Sequence, residues 1–329
     1  MKHFSNTAPF PFRKSSAPAT AGESGVILAI VLILLGVITA LVLHAQALAY
    51  AHLNLENRRL LRAQLRKTAG DEVWRALAVL AADRDLLADH TNESWAAPMR
   101  LSLPNGIETE TIIIDENRFI DANVPGYVSP AEQGRAPAAI VRDLLAGKKH
   151  PADSRPAFSP EIQSEIIKDW TDRDAEGNYE QRYYLLRQSE FYPANLPMAS
   201  REELIWLLDA ATNRAAGPDN LAVLPAGEAR LEPVNINTAD RRTLLAIFGE
   251  NNAGQVETII RRRDAAPLLA LDAALDAEML RKFSAYLSVR SFFFSVYAKA
   301  GVSASAEAVY CLAKRDQSGN IQVLRWVEQ

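Results

Sequence analysis

The hydrophobic pattern is densest near the start of the chain, where Gly25 opens an uncharged, mostly apolar run that ends at Leu43. The eighteen residues after the glycine predict a helix. At about 1.5 Å rise per residue it is roughly 27 Å long, close to the thickness of the hydrocarbon layer of a bilayer. A leader with Lys2, Arg13 and Lys14 precedes this run, and the positive-inside rule places such a leader in the cytoplasm. We therefore predict a membrane-spanning segment here.

An amphipathic pattern follows the apolar run. From His44 to about Asp89 there is no proline, and apolar residues recur at four-residue spacing. They form one stripe along a helical face: Leu61, Leu65, Ala69, Val73, Leu77 and Leu80. The pattern predicts one long helix whose second half packs on a sheet. Two separate helices, a membrane span and a soluble helix, are the alternative.

Alternating apolar and polar residues predict strands in two distant parts of the chain. Residues 101–103 and 107–114 flank a Pro-Asn-Gly turn, and residues 115–117 turn the chain into residues 118–123, which predicts a hairpin. Near the end of the chain, residues 286–299 form one strand or two. Residues 307–314 and 321–327 pair across a polar turn.

Between these parts the pattern favours helices and loops. Residues from about 125 to 233 are interrupted by prolines, and a short helix is predicted from Ser159 to Trp170. A helix with Thr238 as its N-cap should end near Phe248. Two more are predicted at 255–263 and 271–282. The fold class is therefore α+β, with a long helix, an antiparallel sheet and an inserted helical block.

Composition fits a folded protein rather than a disordered one. Hydrophobic residues make up 48% of the 329 residues and charged residues 23%, as in globular proteins. The net charge of −4 gives no support to a nucleic-acid partner. The single cysteine, Cys311, cannot form an internal disulfide, and the five histidines show no pair at metal-ligand spacing. Stability outside the cytoplasm would then depend on packing or a bound ion.

Three interpretations of the apolar run compete. A cleaved secretory signal would need a shorter run, and residues 44–47 are the candidate cleavage site. A plain signal anchor is the second. The third is a prepilin-type signal, which a peptidase cuts on the cytoplasmic side directly after a glycine. Gly25 lies where that cleavage requires it, and Val26 would become the new N-terminus.

Four segments, taken together, resemble the minor pseudopilin K family of bacterial type II secretion systems. They are the glycine-ended leader with its apolar helix, the strand-turn-strand of residues 112–123, the residues 169–197, and the segment that opens with Val-Asn-Ile-Asn-Thr-Ala at 234–239 and ends in the strand 292–296. These segments cover most of residues 25 to 329 in the family's order.

The resemblance implies a fold, an assembly and a location. The implied fold is pilin-like, with a long N-terminal helix on an antiparallel sheet and a large inserted all-helical domain. Its parts are a leader (1–25), a transmembrane and spine helix (26–100), the first part of the sheet (101–124), the helical domain (125–285) and the C-terminal part of the sheet (286–329).

The role that the resemblance implies is non-enzymatic. The chain would be a single-pass inner-membrane protein with a periplasmic domain, processed by prepilin peptidase and assembled with other minor pseudopilins at the tip of a pseudopilus.

Position 30 agrees with a place at the tip. Most pilins have a glutamate as the fifth mature residue, which pairs with the N-terminal amine of a neighbour, because an unpaired charge in an apolar bundle is costly. The fifth residue after Gly25 is Ile30, which suits a subunit at the end of a fibre. An ordinary membrane anchor would also have an apolar residue here, so a permanent anchor with a periplasmic interaction domain stays the main alternative.

Acidic residues cluster between positions 169 and 180. Gly177 lies six positions into a loop counted from Asp172, as in an EF-hand, but Tyr183 takes the place of the final glutamate, which excludes an EF-hand. A hard cation can still bind several of these oxygens together with backbone carbonyls. The family's helical domain is associated with calcium. The resemblance thus implies a Ca²⁺ site, with a solvated acidic loop as the alternative. The candidate ligands are Asp169, Asp172, Asp174 and Glu180.

Two other functions are disfavoured by the sequence. Residues 238–263 superficially resemble a helix-hairpin-helix, with Arg261, Arg262 and Arg263 as candidate phosphate ligands, but Glu250 puts an acid into the hairpin that would face the phosphate. We expect no nucleic-acid binding. Nucleophile-elbow and phosphate-loop patterns are absent from the sequence, and Cys311 lies in a strand pattern typical of a core thiol. The sequence predicts no enzyme.

Overall fold

The computed structural model describes residues 21–123, 135–146, 158–187, 192–193, 195–209, 220–225 and 232–329. Most of the predicted leader and several of the predicted loop prolines lie outside these residues. The chain divides into two compact units, Met1–Leu61 and Arg62–Gln329. The boundary falls inside the first helix. The second unit contains every strand that the structure describes.

The helices and strands are numbered in chain order among the described residues. The helices are α1 (Ala21–Ala81), α2 (Pro137–Ala146), α3 (Pro160–Thr171), α4 (Gln181–Leu186), α5 (Arg201–Asp209), α6 (Arg241–Phe248), α7 (Ala253–Ala265) and α8 (Ala277–Phe283). The strands are β1 (Met99–Ser102), β2 (Glu108–Asp115), β3 (Ile120–Asp121), β4 (Leu221–Ala222), β5 (Val234–Asn235), β6 (Leu287–Ser288), β7 (Phe293–Val302), β8 (Ser305–Arg315) and β9 (Ile321–Glu328).

Helix α1 is continuous, which confirms the prediction of one long helix over two separate ones. In the first unit its apolar side chains are exposed, as a membrane-spanning segment requires. The helix ends at Ala81 rather than near Asp89, because the Asp83 carboxylate accepts a hydrogen bond from the Asp85 amide (3.1 Å) in a local turn.

The predicted apolar stripe of α1 is confirmed within the second unit. Five of its members are buried: Leu65, Ala69, Val73, Leu77 and Leu80. Beside the stripe, Trp74 stacks on Trp326 of β9 with ring centroids 5.7 Å apart. A Cβ added at Gly70 would lie 3.4 Å from the same indole, so the helix passes close to this ring. This half of the helix packs on the sheet.

In the described residues, five antiparallel strands form the main sheet in the order β1-β2-β7-β8-β9. Strands β2 and β7 are neighbours, with Ile113 opposite Val296, although the helical block separates them in sequence. Strand β8 continues the register with Cys311 opposite Val296. The prediction of an α+β fold, with a sheet built from two distant parts of the chain, is confirmed.

The predicted hairpin of residues 101–123 is only half right. Strands β1 and β2 do form a hairpin around a turn in which Gly106 has a φ of 77°. In the described structure, however, β3 pairs with β4 in a separate parallel pair rather than returning along β2. The chain turns away because the Asp115 carboxylate accepts the Asn117 amide (2.8 Å), and Asn117 Oδ1 accepts the Phe293 amide (2.9 Å).

Other predicted elements shift at their ends. The segment 286–299 forms two strands, with β6 paired to β5 and β7 in the main sheet. Thr238 is not the N-cap of α6. That role belongs to Asp240, which accepts the Thr243 amide (2.7 Å), because the Thr238 hydroxyl donates instead to Asp115 (2.5 Å). The helix predicted at 271–282 splits into a single 3-10 turn and α8, which is capped by Asp276.

The helices of the inserted block share one core. Buried side chains from α2, α3, α5, α6 and α7 meet there, among them Val141, Ile167, Leu204, Ile247 and Val256. A second, smaller core joins this block to the sheet through Ala222, Leu224 and Phe293. The loop between α3 and α4 therefore stands on a well-packed helical scaffold.

Candidate functional site

The acidic residues predicted as ligands lie in the loop between α3 and α4. Helix α3 begins at Pro160 behind the N-cap Ser159 and ends at Thr171, and Asp172 is its C-cap. Glu180 is the N-cap residue of α4. The two helix ends thus fix the positions of the first and the last acid of the loop.

Three of the four predicted ligands come together. One carboxylate oxygen from each of Asp172, Asp174 and Glu180 lies within 4.8 Å of the others. We call this group the loop triad. Asp172 and Glu180 are buried and Asp174 is exposed, so the group opens to solvent on one side. Three carboxylates at this spacing match the oxygen ligands of a hard divalent cation.

The carboxylate of Asp172 has unmet bonding capacity. Its side chain is 6% exposed, and neither oxygen has a hydrogen-bond partner among the described residues. Lys168 Nζ, itself 43% exposed, lies 3.4 Å from Asp172 Oδ2. Burial, followed by the charge of Asp174, raises the pKa of Asp172. Lys168 is a partly exposed counter-ion that is shared with Asp169, and a bound cation would neutralise this buried carboxylate further.

Glu180 repeats this pattern. It is buried, and its Oε1 accepts no hydrogen bond from the residues that the structure describes. Burial raises its pKa, and the negative charges of Asp169, Asp172 and Asp174 raise it further. Unpartnered oxygens on both buried members of the loop triad show that the residues present fit a divalent cation.

Asp169, the fourth predicted ligand, is placed outside the loop triad and closes the loop. Its Oδ2 accepts the backbone amide of Tyr179 (2.9 Å), and burial raises its pKa. The carboxylate rests on Gly177, where an added Cβ would fall inside it. Gly177 is therefore needed for this packing rather than as an EF-hand turn.

Aromatic side chains pack at the two helix ends that flank the loop. The rings of Trp170 and Tyr184 pack edge to face at 5.7 Å between centroids, and Tyr183 packs on Tyr184 at 5.2 Å. The Arg187 guanidinium lies 4.1 Å from the centre of the Tyr183 ring. The Trp170–Tyr184 contact holds α4, and with it Glu180, against α3, and the other two contacts lie within α4 and its C-cap.

Asn195 also belongs to this region, although it is not among the predicted ligands. Its side-chain amide donates to the main-chain carbonyl of Asp174 and contacts the Glu180 carboxylate. Asn195 belongs to a motif of the family resemblance, but nothing in the sequence indicates that it meets a loop twenty-one residues earlier.

A second acidic group was also missed. Oxygens of Asp83, Asp89 and Glu93 lie within 4.8 Å of one another in the loops after α1. Arg315 at the end of β8 donates to Asp83 (2.9 Å) and to Asp89, and its side chain is 3% exposed. We call these four residues the arginine cluster. Two of its three carboxylates, Asp83 and Asp89, already have a buried cation, which reduces the need for a metal.

The phosphate-binding interpretation of residues 238–263 finds no support in the contacts. Arg263 donates to the carbonyl of Ile236 (2.7 Å), and Arg262 donates to the carbonyl of Ala273 (2.8 Å). Both arginines thus link loops of the helical block. Cys311 is a buried thiol of β8, and burial raises its pKa to about 11, as expected for a core residue.

The processing residues lie in the first unit. Gly25 and Val26 are part of α1, and Val26 is exposed. Among the described residues, one helix, at Gly25–Ala81, is long and apolar enough to cross a membrane by its length and composition. This supports a single membrane-anchoring segment.

Comparisons with known proteins identify the fold. No protein-family model and no curated relative matches the sequence. The fold is similar to that of a chain in the crystal structure of the GspK-GspI-GspJ complex from the enterotoxigenic Escherichia coli type 2 secretion system. The two chains share 20% sequence identity with a TM-score of 0.62, and the match covers 83% of this chain and 98% of that chain. The chain therefore has the fold of a chain from this pseudopilin complex.

Proposed function

We propose that this protein is a non-enzymatic minor pseudopilin of the K type that assembles at the tip of a type II secretion pseudopilus. The observation that carries the proposal is the combination of a membrane-type helix, an antiparallel sheet and an inserted helical block, matched over most of both chains by the GspK-GspI-GspJ structure. The helix would first anchor the chain in the inner membrane, with the remainder in the periplasm, and later join the fibre.

The proposed partners are other minor pseudopilins. The complex that supplies the structural match contains three components of that system, and this supports an assembly of the same kind here. The test is co-purification of the full chain, in mild detergent, with the other minor pseudopilins of its own secretion system. A stoichiometric complex is expected. Recovery of the chain alone at concentrations where the other subunits bind each other would contradict the proposal.

We further propose that prepilin peptidase cleaves after Gly25. The support is the position of the glycine at the start of the apolar run and the absence of charge from the residues that follow. Ile30 at the fifth mature position fits a terminal subunit that does not neutralise a neighbour's amine. An uncleaved permanent anchor is the competing function, and it predicts an intact leader.

The loop triad is the proposed Ca²⁺ site of the helical block. Two buried carboxylates with unpartnered oxygens support it. A bound ion would neutralise their charge and join the end of α3 to the start of α4, which stiffens a domain that has no disulfide. Calorimetric titration of the full chain with Ca²⁺ tests this. A heat of binding that Asp172→Asn abolishes is expected, and no binding by the wild-type chain would contradict it.

A further inference from the structure

Hydrogen bonds that begin at Asn195 link the loop triad to the junction between the helical block and the main sheet. The half-buried Asn195 brings a second segment of the chain to the loop, since its amide donates to the Asp174 carbonyl and contacts the Glu180 carboxylate. Its backbone has a φ of 52°, a left-handed conformation that asparagine adopts more readily than most residues. Asn195 therefore contacts two members of the loop triad at once.

Three residues later the same segment is fixed to the junction with the sheet. The Met198 amide donates to Asn123 Oδ1 (2.7 Å), and Asn123 Nδ2 donates back to the Met198 carbonyl (3.2 Å). Met198 is fully buried. Asn123 Nδ2 also donates to the carbonyl of Leu224 (3.1 Å), and Leu224 packs with Phe293 of β7.

A second contact holds the segment from the side of α3. The carboxylate of Glu203 accepts hydrogen bonds from the Ala199 amide (2.9 Å) and from the indole of Trp170 (2.8 Å). Trp170 lies two residues before Asp172 at the end of the same helix. Residues 195–199 are therefore tied to the loop triad at one end and to α3 and Asn123 at the other.

From this geometry we infer that cation binding at the loop triad is transmitted through Asn195 to the Met198–Asn123 hydrogen bonds, so that the ion tightens the attachment of the helical block to the sheet. The inference rests on the proposed Ca²⁺ site. Asn195 acts as a positioning residue. An ion that draws Asp174 and Glu180 together fixes the Asn195 side chain, and the segment 195–199 loses the freedom to leave Asn123.

The test is hydrogen exchange of the full chain in detergent micelles, with calorimetry on the same samples. Saturating Ca²⁺ should slow exchange of the Met198 and Ala199 amides of the wild type by about tenfold. Asn195→Gly removes the side chain and keeps a backbone that tolerates the positive φ. This variant should bind Ca²⁺ within about threefold of the wild-type affinity and lose most of the added protection.

Asn178→Ala is the matched control, because Asn178 is an exposed asparagine of the same loop. It should keep both the binding and the protection. Full Ca²⁺-dependent protection in Asn195→Gly would overturn the inference, as would a wild-type chain that binds Ca²⁺ with unchanged exchange at Met198. A wild type that shows no heat of binding would overturn the Ca²⁺ site itself and the inference with it. These failures are distinguishable, and the wild-type measurement decides even if the variant does not fold.

Discussion

The loop triad and the arginine cluster have the same acidic composition and different chemistry. Each brings three carboxylates within 4.8 Å. The arginine cluster contains its own buried cation, because Arg315 binds both Asp83 and Asp89. Near the loop triad, Lys168 is partly exposed and reaches Asp172 at 3.4 Å. The number of acids alone therefore does not identify a metal site. What separates the two groups is whether a buried cation already neutralises the acids.

The largest expected effect comes from removing the internal cation. Arg315→Met leaves Asp83 and Asp89 without their counter-ion and should lower the free energy of unfolding by about 3–5 kcal/mol. Arg325→Ala is the control, because Arg325 is 31% exposed and its ion-pair partner Glu202 (2.8 Å) is 66% exposed. Loss of this ion pair should cost less than about 1 kcal/mol. Chemical denaturation of the full chain measures both. Equal losses in the two variants would show that Arg315 has no special role.

The next effect separates the two clusters by their response to calcium. At a Ca²⁺ concentration a hundred times the dissociation constant, the wild type should gain about 2.7 kcal/mol in its free energy of unfolding. Asp172→Asn should lose this gain, whereas Asp83→Asn should keep it, because Asp83 is already paired with Arg315. Thermal unfolding with Ca²⁺ and with chelator provides the measurement. Loss of the gain in both variants would break the distinction.

Acidity should affect the arginine cluster through Glu93. Burial raises the pKa of Glu93 to about 7, above its ordinary value of 4.5. The folded state therefore holds a proton that the unfolded state releases, so the contribution of Glu93 to stability is fully present below about pH 4.5 and is lost as the pH rises through 7. Between pH 5 and 8 the free energy of unfolding of Glu93→Gln should fall by about 2 kcal/mol less than that of the wild type.

Asp115 contributes in the same direction, because burial raises its pKa to about 6. It is present in both proteins, so the difference between Glu93→Gln and the wild type isolates Glu93. Urea denaturation at several pH values gives the two profiles. Parallel profiles would mean that Glu93 titrates normally.

The smallest effect concerns the packing under the loop triad. Gly177→Ala would push the new methyl group into the Asp169 carboxylate and should cost about 1–2 kcal/mol, with weaker Ca²⁺ binding. Gly254→Ala is the control, since an added Cβ there meets no described atom within 4 Å. In helix α7 this substitution should stabilise the chain by about 0.5–1 kcal/mol. If Gly177→Ala behaves like the control, the loop does not depend on that packing.

Periodic features of the sequence predicted the fold well. The stripe from Leu61 to Leu80 and the strand patterns of β2, β7 and β8 are local, and the structure forms these elements as expected. Leu61 is half-buried and the other members of the stripe are buried. Burial alternates along β2, whereas the first four residues of β7 are all buried. The short pair β3–β4 has two residues per strand, too few for any alternation to show. It was mistaken for the return of a hairpin.

Features that depend on long-range pairing could not be predicted. Arg315 donates to Asp89, which lies 226 residues away in sequence. Asn195 donates to the main-chain carbonyl of Asp174, a group that every residue has and that leaves no mark in the sequence. Thr238 had the expected N-cap chemistry, but a buried carboxylate, Asp115, takes its hydroxyl, so Asp240 caps the helix. In each case a tertiary contact decides between local alternatives that the sequence leaves equal.

The most direct test of the proposed function is the intact mass of the full chain isolated from membranes, with and without an active prepilin peptidase. The proposal predicts loss of residues 1–25 only when the peptidase is active, with Val26 at the new N-terminus. A chain that keeps its leader in the presence of a peptidase that processes the other pseudopilins would contradict the pseudopilin assignment and favour a permanent membrane anchor.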